Sequence, residues 1–243
     1  MALDMNNFTS NQKEQSAVKS NRKLRIGIIG IGGISGSHIP AYLRQEDVEL
    51  VAGCDLIPGK AESKFRYYKI EGGKFFTDYK EMIDTVEMDA VSVCTYNSTH
   101  AECAIYALEH GLNVLLEKPF TVTLEEAAAV MRAEKKSGKF VSVGFQPRFD
   151  ANMQMIKKIV QSGELGRVFY VQTGGGRRHG IPVSWTDTFI QKDKAGLGAV
   201  GDIGCYSIDL VMNALNNPKP LTVSGTVSDY FGTTPDAYAQ VGR

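Results

Sequence analysis

Residues 26–36 combine residue types and a spacing that could bind phosphate. The segment Ile26-Gly-Ile-Ile-Gly30-Ile-Gly32-Gly-Ile-Ser35-Gly36 has the pattern of a strand, a glycine turn and the start of a helix. Gly30 permits a tight turn, and Gly32 lets a pyrophosphate approach the backbone at the positive end of the helix. Ser35 replaces the third glycine, so the fingerprint is imperfect. The spacing predicts a dinucleotide site with backbone contacts from Gly30, Gly32, Gly33 and Ile34.

A carboxylate follows at the end of the next apolar run. Asp55 lies at about the distance expected for the acid that accepts hydrogen bonds from the adenosine ribose. A carboxylate there repels a 2′-phosphate, so NAD is expected in preference to NADP, with Lys60 and Lys64 softening that preference. The alternative interpretation of Asp55 is a solvated strand end.

Three further segments resemble the Gfo/Idh/MocA family, named for glucose-fructose oxidoreductase and inositol dehydrogenase. Cys94-Thr-Tyr-Asn97-Ser-Thr-His100 is similar to the family's strand-end segment near the nicotinamide ribose, although Tyr96 stands where proline is usual. Glu117-Lys118-Pro119 matches the family's most specific short motif. Residues 195–209 resemble its glycine-rich approach to the catalytic helix. The segments occur in the family's order, and the resemblance runs from about Leu24 to the C-terminus.

The resemblance implies hydride transfer between a nicotinamide cofactor and a sugar, cyclic polyol or related alcohol. It places Lys118 at the reacting oxygen, and it places Tyr206 where many members have a histidine general base. Tyrosine at this position resembles the glucose-fructose oxidoreductase and dimeric dihydrodiol dehydrogenase branches, which favours sugars that react at a ring carbon. The implied cofactor contacts are Thr95, Asn97, His100, Glu117 and Lys118.

This chemistry needs a base to remove the hydroxyl proton, because the nicotinamide accepts only the hydride. An ordinary tyrosine has a pKa of about 10, so Tyr206 would need a nearby cation, and Lys118 supplies one. Asp202 lies four residues before Tyr206, where it would orient substrate, balance Lys118 or act as a helix N-cap. The alternative for Tyr206 is a core aromatic, and ordinary surface or polar-rim roles are the alternatives for the other candidates. The expected substrate contacts are Arg148, Trp185, Asp202 and Asp209.

The elements that must position these residues follow a βαβ rhythm from Lys23 onward. Short apolar runs alternate with helical stretches, which predicts an α/β fold with an N-terminal Rossmann doubly wound parallel sheet. Thr123 and Glu126 form a predicted capping box, and Gly138 ends that helix. The predicted strands are 24–29, 48–54, 89–94, 113–116 and 140–144; the predicted helices are 38–45, 59–69, 99–110 and 123–137.

The rhythm changes after Gln146, which predicts a second domain. Helices are expected at 150–161 and 202–216, and strands at 168–173 and 221–228. This is an incomplete α+β substrate domain with a mostly antiparallel open sheet. The predicted organisation is a disordered tail (1–22), a dinucleotide domain (23–145) and a partial substrate and oligomerisation domain (146–243). Either the chain is a truncated product or fragment, or a partner, such as a second copy, covers the sheet edge.

The composition of the chain argues against several classes of partner. Lys plus Arg equals Asp plus Glu, 27 against 27, so no field draws the chain to nucleic acid. The four cysteines lack the spacing of a zinc site, and no metal is expected. No apolar run reaches the roughly 18 residues of a membrane span. The first 22 residues lack the apolar centre of a signal peptide, which predicts a cytoplasmic protein.

Two other functions fit the same patterns. One is a regulator that binds dinucleotide and ligand without turnover. Lys118→Met and Tyr206→Phe distinguish it from the enzyme, in which these substitutions should lower turnover at least tenfold. The other is a glycosidase that uses tightly held NAD in a redox cycle, and it predicts cofactor retention through purification without net reduction of added NAD.

Overall fold

The computed structural model describes residues 22–174 and 187–228. The chain divides into two compact units between Gly144 and Phe145, and each is described by itself. The predicted tail at 1–22, apart from Arg22, and the predicted substrate contact Trp185 lie outside the described residues.

The first unit contains a six-stranded sheet in which every neighbouring pair is parallel. Numbered along the chain, the strands lie in the order 3-2-1-4-5-6. This is the strand order of a dinucleotide-binding Rossmann fold, and it confirms the predicted α/β class. The strands are β1 Leu24–Ile29, β2 Val48–Cys54, β3 Lys74–Phe76, β4 Ala90–Val93, β5 Asn113–Leu116 and β6 Val141–Val143.

Five helices cover the two faces of this sheet. Successive side chains of β1 enter different cores: Ile26 and Ile28 pack with one buried cluster, and Ile29 packs with the other. The first cluster includes residues of the first two helices, and the second includes residues of the next three. Burial on both faces explains why the strands are nearly continuous in apolar residues. The helices are α1 Ser35–Leu43, α2 Lys60–Tyr67, α3 Tyr79–Thr85, α4 His100–Glu109 and α5 Leu124–Ser137.

Local signals set several helix ends. The capping box of α5 is present, with Glu126 N donating to Thr123 Oγ1 at 3.1 Å, and Gly138 ends the helix at a φ of 68°. Helix α1 begins at Ser35, three residues before the predicted start, and it contains Pro40. Pro40 has no N–H for the Gly36 carbonyl, and the Tyr68 hydroxyl donates to that oxygen at 3.3 Å instead.

The described part of the second unit contains α6 Ala151–Gln161, α7 Lys192–Ala195 and α8 Cys205–Ala214, with short 3₁₀ turns at 146–149 and 187–189. The strands predicted at 168–173 and 221–228 are not confirmed, because both segments lack regular secondary structure. A strand is stable only when a neighbour pairs with its backbone, and no described residue of this unit supplies one. Phe169 and Val223 are 93% and 90% exposed, so their apolar faces are also uncovered.

Helix α8 begins later than predicted because a π-helical turn, Val200–Gly204, precedes it. Gly204 is the N-cap of α8, so the predicted N-cap role of Asp202 is wrong. By length and mean hydropathy, 1.2, the stretch Lys192–Ala214 could cross a membrane. That is weak evidence, since the stretch bends at Gly196 and Leu197 and carries Asp209 buried on α8.

Candidate functional site

The parallel strands end at one edge of the sheet, and the residues singled out in the first unit follow those ends. Gly30 follows β1, Asp55 follows β2, Cys94 follows β4, and Glu117 follows β5. The connection that leaves β1 leads to β2, and the one that leaves β4 leads in the opposite direction to β5, so the gap between β1 and β4 is the topological switch point. Ligands of open α/β sheets bind at this point.

Gly30 makes the tight turn that leaves β1. Its φ is 87°, in the left-handed region that favours glycine. A Cβ at this position would lie 2.7 Å from the Cys94 carbonyl oxygen and 2.9 Å from the Thr95 nitrogen. The turn therefore crosses directly over the end of β4, with no room for a side chain.

The next two glycines serve a different purpose. A Cβ added at Gly32 or Gly33 would meet no atom within 4 Å. The N-cap of α1, Ile34, contributes no side-chain cap. The amides of Gly36 and Ser37 donate to the Gly33 and Ile34 carbonyls at 3.0 and 2.9 Å, so the amides that remain for an anion are those of residues 32–35. Ser35 is fully buried, and its hydroxyl donates to the Gly32 carbonyl at 2.7 Å. This hydrogen bond holds the glycine turn in place. Open space above uncapped amides fits a pyrophosphate.

Asp55 is joined to this turn by hydrogen bonds. Its Oδ2 accepts from Ile31 N at 2.9 Å and from the Lys60 ammonium at 2.8 Å, and its Oδ1 accepts from Ile57 N at 3.0 Å. The carboxylate is only 9% exposed. It is therefore a fixed group of the site, which argues against a solvated strand end.

The segment after β4 forms a short 3₁₀ turn, Asn97–Thr99, that leads into α4. Thr95 and Asn97 are half-buried at this edge, and Tyr96 is exposed. His100 is fully buried, with Nδ1 2.8 Å from the Pro119 carbonyl oxygen. Burial lowers the pKa of His100, which favours a neutral ring. Because the His100 ring is buried against the Pro119 carbonyl, the geometry favours a role for His100 in holding the turn at Lys118 and Pro119. Direct contact between His100 and the cofactor stays a prediction.

Glu117 and Lys118 follow β5, and the peptide bond between Lys118 and Pro119 is cis. Lys118 is half-buried, whereas the Glu117 side chain is only 10% exposed. Glu117 Oε1 lies 2.7 Å from His38 Nε2, and Oε2 accepts from the Lys118 backbone N–H at 3.3 Å. The Glu117 carboxylate thus has partners within the protein, and its role as a cofactor contact stays a prediction.

In the second unit, Tyr206 lies in the first turn of α8, half-buried. Its hydroxyl and the Gln146 side-chain amide are within hydrogen-bond distance, at 3.1 Å from Nε2 and 3.3 Å from Oε1. The Phe145 ring packs edge-on against Tyr206, with 6.2 Å between ring centroids. Asp202 lies in the preceding π-helical turn, a feature that is frequent at functional sites.

Arg148 and Asp209, both predicted substrate contacts, bind each other. Arg148 Nε donates to Asp209 Oδ2 at 2.7 Å, and Arg148 Nη2 donates to Asp209 Oδ1. The Asp209 carboxylate raises the pKa of Arg148 through these hydrogen bonds. The pair joins the 3₁₀ turn at 146–149 to α8, so the geometry favours positioning of α8 over direct substrate contact.

Sequence reasoning missed three residues in the first unit. His38 was assigned no role, yet its side chain is 10% exposed and contacts Glu117. Ser92 Oγ lies 3.3 Å from His38 Nδ1 and 2.6 Å from the Tyr42 hydroxyl. The available signal was Ser92 itself, since it is a hydroxyl residue in a strand that is otherwise apolar on both faces.

Comparison with known proteins agrees with this geometry. Residues 24–145 match the family described as "Oxidoreductase family, NAD-binding Rossmann fold" (GFO_IDH_MocA), and residues 153–241 match the "GFO/IDH/MocA C-terminal domain". The four cysteines are free, and three of them are buried.

Individual relatives are sugar and polyol dehydrogenases by name. The chain is 33% identical to the D-glucoside 3-dehydrogenase of Escherichia coli over 90% of its own length and 61% of the relative. It is 36% identical to the inositol 2-dehydrogenase of Salmonella typhimurium over 61% of its length and 44% of the relative. The structure of an aldose-aldose oxidoreductase from Caulobacter crescentus superimposes with a TM-score of 0.71 at 31% identity, covering 80% of this chain and 58% of that one. The chain thus spans roughly half the length of the relatives it matches.

Proposed function

The chain belongs to the Gfo/Idh/MocA family, and from this we propose that it is an NAD(P)-dependent oxidoreductase acting on a sugar, cyclic polyol or related alcohol. The observation that carries the proposal is the open space above Gly32 and Gly33 at the uncapped start of α1, with Asp55 fixed beside it. Anions bind at helix N-termini, and a carboxylate at this strand end accepts hydrogen bonds from a ribose.

The cofactor-binding residues act through backbone and side chain. The amides at Gly32, Gly33 and Ile34 would hold the pyrophosphate, and Asp55 would hold the adenosine ribose. The residues that follow β4 and β5 would hold the nicotinamide end; these are Thr95, Asn97, His100, Glu117 and Lys118. When bound, the nicotinamide supplies hydride acceptance or donation.

The remaining chemistry is proton movement at the substrate oxygen. We assign Tyr206 as the general base that takes the hydroxyl proton, and Lys118 as the cation that stabilises negative charge on the reacting oxygen. Asp202, in the π-helical turn before α8, orients the substrate hydroxyl. The Gln146 amide, which contacts the Tyr206 hydroxyl, restricts the direction in which that hydroxyl points.

We also infer that NAD is preferred to NADP. The Asp55 carboxylate would repel a 2′-phosphate, which supports the preference. Lys60 lies 2.8 Å from Asp55 Oδ2, and Lys64 Nζ lies 3.6 Å from the Cβ position of Gly36. These two cations reduce the repulsion, so NADP binding is weakened and not abolished.

A fluorescence titration with NADH and NADPH tests the binding step, and a panel of D-glucosides, D-glucose 6-phosphate and inositols then tests turnover. We expect binding of NADH and reduction of NAD with at least one ring alcohol. Lys118→Met and Tyr206→Phe should each lower turnover at least tenfold without loss of NADH binding. Turnover unchanged in both variants would contradict the assigned chemistry and favour a binding protein.

The roles of Arg148 and Asp209 can be separated by hydrogen exchange. If the pair positions α8, Arg148→Lys loses the two-pronged contact and speeds amide exchange in α8 about tenfold. If instead the two side chains are substrate contacts, Arg148→Lys raises KM and leaves α8 exchange unchanged. Asp209→Asn provides the second variant, and Lys158→Met on α6 is the control for loss of a cation.

Residues 168–171 are apolar or aromatic, residues 221–228 largely alternate apolar and polar residues, and both segments expose apolar side chains. We propose that they become strands of an antiparallel sheet when further strands or a second copy of the chain pair with them, in a cytoplasmic protein that binds neither nucleic acid nor membrane. Sedimentation velocity tests this. A homo-oligomer supports the proposal, and a concentration-independent monomer argues against pairing by a second copy.

A further inference from the structure

Helix α1 and the turn that carries Lys118 are joined beneath the candidate site by a chain of buried polar groups. The chain consists of Tyr42, Ser92, His38 and Glu117, in that order, with contact distances of 2.6, 3.3 and 2.7 Å. Ser92 is fully buried, and the side chains of His38 and Glu117 are each 10% exposed. We refer to these four residues as the His38 chain.

One assignment of protons satisfies every contact. The Tyr42 hydroxyl donates to Ser92 Oγ, Ser92 donates to His38 Nδ1, and His38 Nε2–H donates to the Glu117 carboxylate. The other carboxylate oxygen accepts from the Lys118 backbone N–H at 3.3 Å. A neutral imidazole with its proton on Nε2 thus completes the chain without any unsatisfied buried group.

The surrounding packing leaves the Glu117 side chain little freedom. Its backbone N–H donates to the Val93 carbonyl at 3.0 Å, which fixes the residue at the end of β4. The Cβ position of Gly144 lies 3.1 Å from Glu117 Oε1, so a larger residue there would require the carboxylate to shift by a few tenths of an ångström. The direction of the carboxylate is therefore determined by His38.

The two ends of the chain have different tasks in the proposed function. His38 and Tyr42 belong to α1, whose first turn would hold the pyrophosphate. Glu117 is the residue immediately before Lys118. A displacement of α1 on cofactor binding would move His38 and, through Glu117, the backbone of Lys118.

We propose that His38 and Glu117 are positioning residues that couple dinucleotide binding at α1 to the placement of Lys118, an inference that rests on the proposed oxidoreductase function. Neither residue contacts the substrate or the transferred hydride. Displacement of a reacting group by about 1 Å costs on the order of a hundredfold in rate, so loss of the coupling lowers kcat by about ten- to a hundredfold. NADH affinity, which depends on the amides of Gly32, Gly33 and Ile34 before α1, stays within threefold.

The test uses His38→Leu, which removes the hydrogen bond to Glu117, and His38→Gln, which retains a side-chain N–H donor. His110→Gln is the matched control, because His110 also lies near a carboxylate, Asp84, at 3.4 Å, but on the surface. Four quantities are measured: the NADH dissociation constant, kcat, KM with the panel substrate that the wild type turns over best, and exchange of the amides in residues 118–122, apart from Pro119, with and without NADH.

We expect NADH to slow exchange of these amides in the wild type and in His110→Gln, and to have no such effect in His38→Leu. His38→Leu should lose kcat at unchanged KM, and His38→Gln should recover most of the loss. In the free protein, exchange at 118–122 should already be at least fivefold faster in His38→Leu. If His38→Leu does not fold, His38→Ala, which removes the same hydrogen bond, takes its place.

Two results would overturn the inference: kcat within threefold of wild type together with retained NADH-dependent protection, or loss of NADH affinity that parallels the loss of kcat. Failure of the proposed function has a different signature, because the wild type itself would then bind no NADH or turn over no substrate. Exchange in the free protein still tests whether His38 holds the Lys118 turn.

Discussion

Gly30 and Gly32 have different roles in the same turn, and substitution of each by alanine should distinguish these roles. Gly30→Ala forces a Cβ into a left-handed residue 2.7 Å from the Cys94 carbonyl oxygen, so we expect a loss of about 3 kcal/mol in the free energy of unfolding of the first unit. Gly32→Ala places its methyl in open space and should change that free energy by less than about 0.5 kcal/mol. Native-state hydrogen exchange of β1 and β4 amides measures both.

Although Gly32→Ala should have little effect on stability, it should have a large effect on NADH binding. The Gly32→Ala methyl occupies the space assigned to the pyrophosphate, so the NADH dissociation constant should rise about tenfold or more. Gly72→Ala is a control outside the site, at a glycine with positive φ and open surroundings. Unchanged NADH affinity in Gly32→Ala would mean that the diphosphate binds elsewhere.

Lys60 should determine how strictly the site selects its cofactor. Its ammonium pairs with Asp55, and it is 37% exposed, so the contact is worth at most about 1 kcal/mol. Lys60→Met should weaken NADPH binding about fivefold relative to NADH, because the carboxylate then faces a 2′-phosphate with less compensation. Paired fluorescence titrations measure the ratio, with Lys69→Met as the control. A ratio that shifts toward NADPH would contradict the role given to Lys60.

At the residue scale, residues that belong to a local sequence motif could be predicted. Contacts between residues that are distant in sequence could not. The spacing of Gly30 and Gly32 sufficed to predict the turn, and Asp55 was found from its distance along the chain. The link between His38 and Glu117 spans 79 residues. No local pattern reports such a contact, because it forms only when α1 and the end of β5 pack on the same side of the sheet.

At the element scale, the edge of the sheet opposite the site contains a pH-sensitive contact. Arg22 donates two hydrogen bonds of 2.6 Å to Asp89, and Arg25 N donates a third at 2.9 Å, joining the beginnings of β1 and β4. The Arg22 guanidinium is the main cause of a pKa of about 2 for Asp89. Because the folded pKa lies below the unfolded value of about 3.9, this stabilisation is complete above about pH 4 and is lost toward pH 2.

Asp89→Asn should therefore lower the melting temperature at pH 7 by about 2–4 °C. The difference from wild type should shrink as the pH falls below about 4 and vanish near pH 2. Glu87→Gln is the control, since Glu87 is 90% exposed and its ion pair with Arg25 adds little. Thermal unfolding across pH 2–7 measures both. A constant difference at every pH would show that the charge of Asp89 is irrelevant.

The elements that carried their own signals were predicted well. Thr123, Glu126 and Gly138 fix α5 locally, and the long apolar runs fix β1 and β2. Strand β3 has only three residues, Lys74–Phe76, and it was missed because so short a segment shows no periodicity. The segments at 168–173 and 221–228 have the apolar composition of strands, but a strand also needs a partner to pair with its backbone, and the described residues supply none.

At the scale of the whole molecule, the two units differ in how completely they are built. The first has six paired strands with helices on both faces, two buried clusters and the candidate dinucleotide site. The described part of the second has three α-helices and two unpaired apolar segments. Cofactor binding is thus expected from residues of the first unit alone, whereas the catalytic roles proposed for Tyr206 and Asp202 belong to residues of the second.

This difference leads to a prediction about ligand-induced stability. A ligand that binds only the folded state stabilises it by RT ln(1 + [L]/Kd), about 2.7 kcal/mol at a concentration of one hundred times Kd. NADH at that concentration should raise the melting temperature of the first unit by several degrees, read from protection of β4 and β5 amides. NADPH at the same concentration should give a smaller shift, and Gly32→Ala should reduce both. Equal shifts with both cofactors would contradict selection by Asp55, because its charge would then be without effect on the 2′-phosphate.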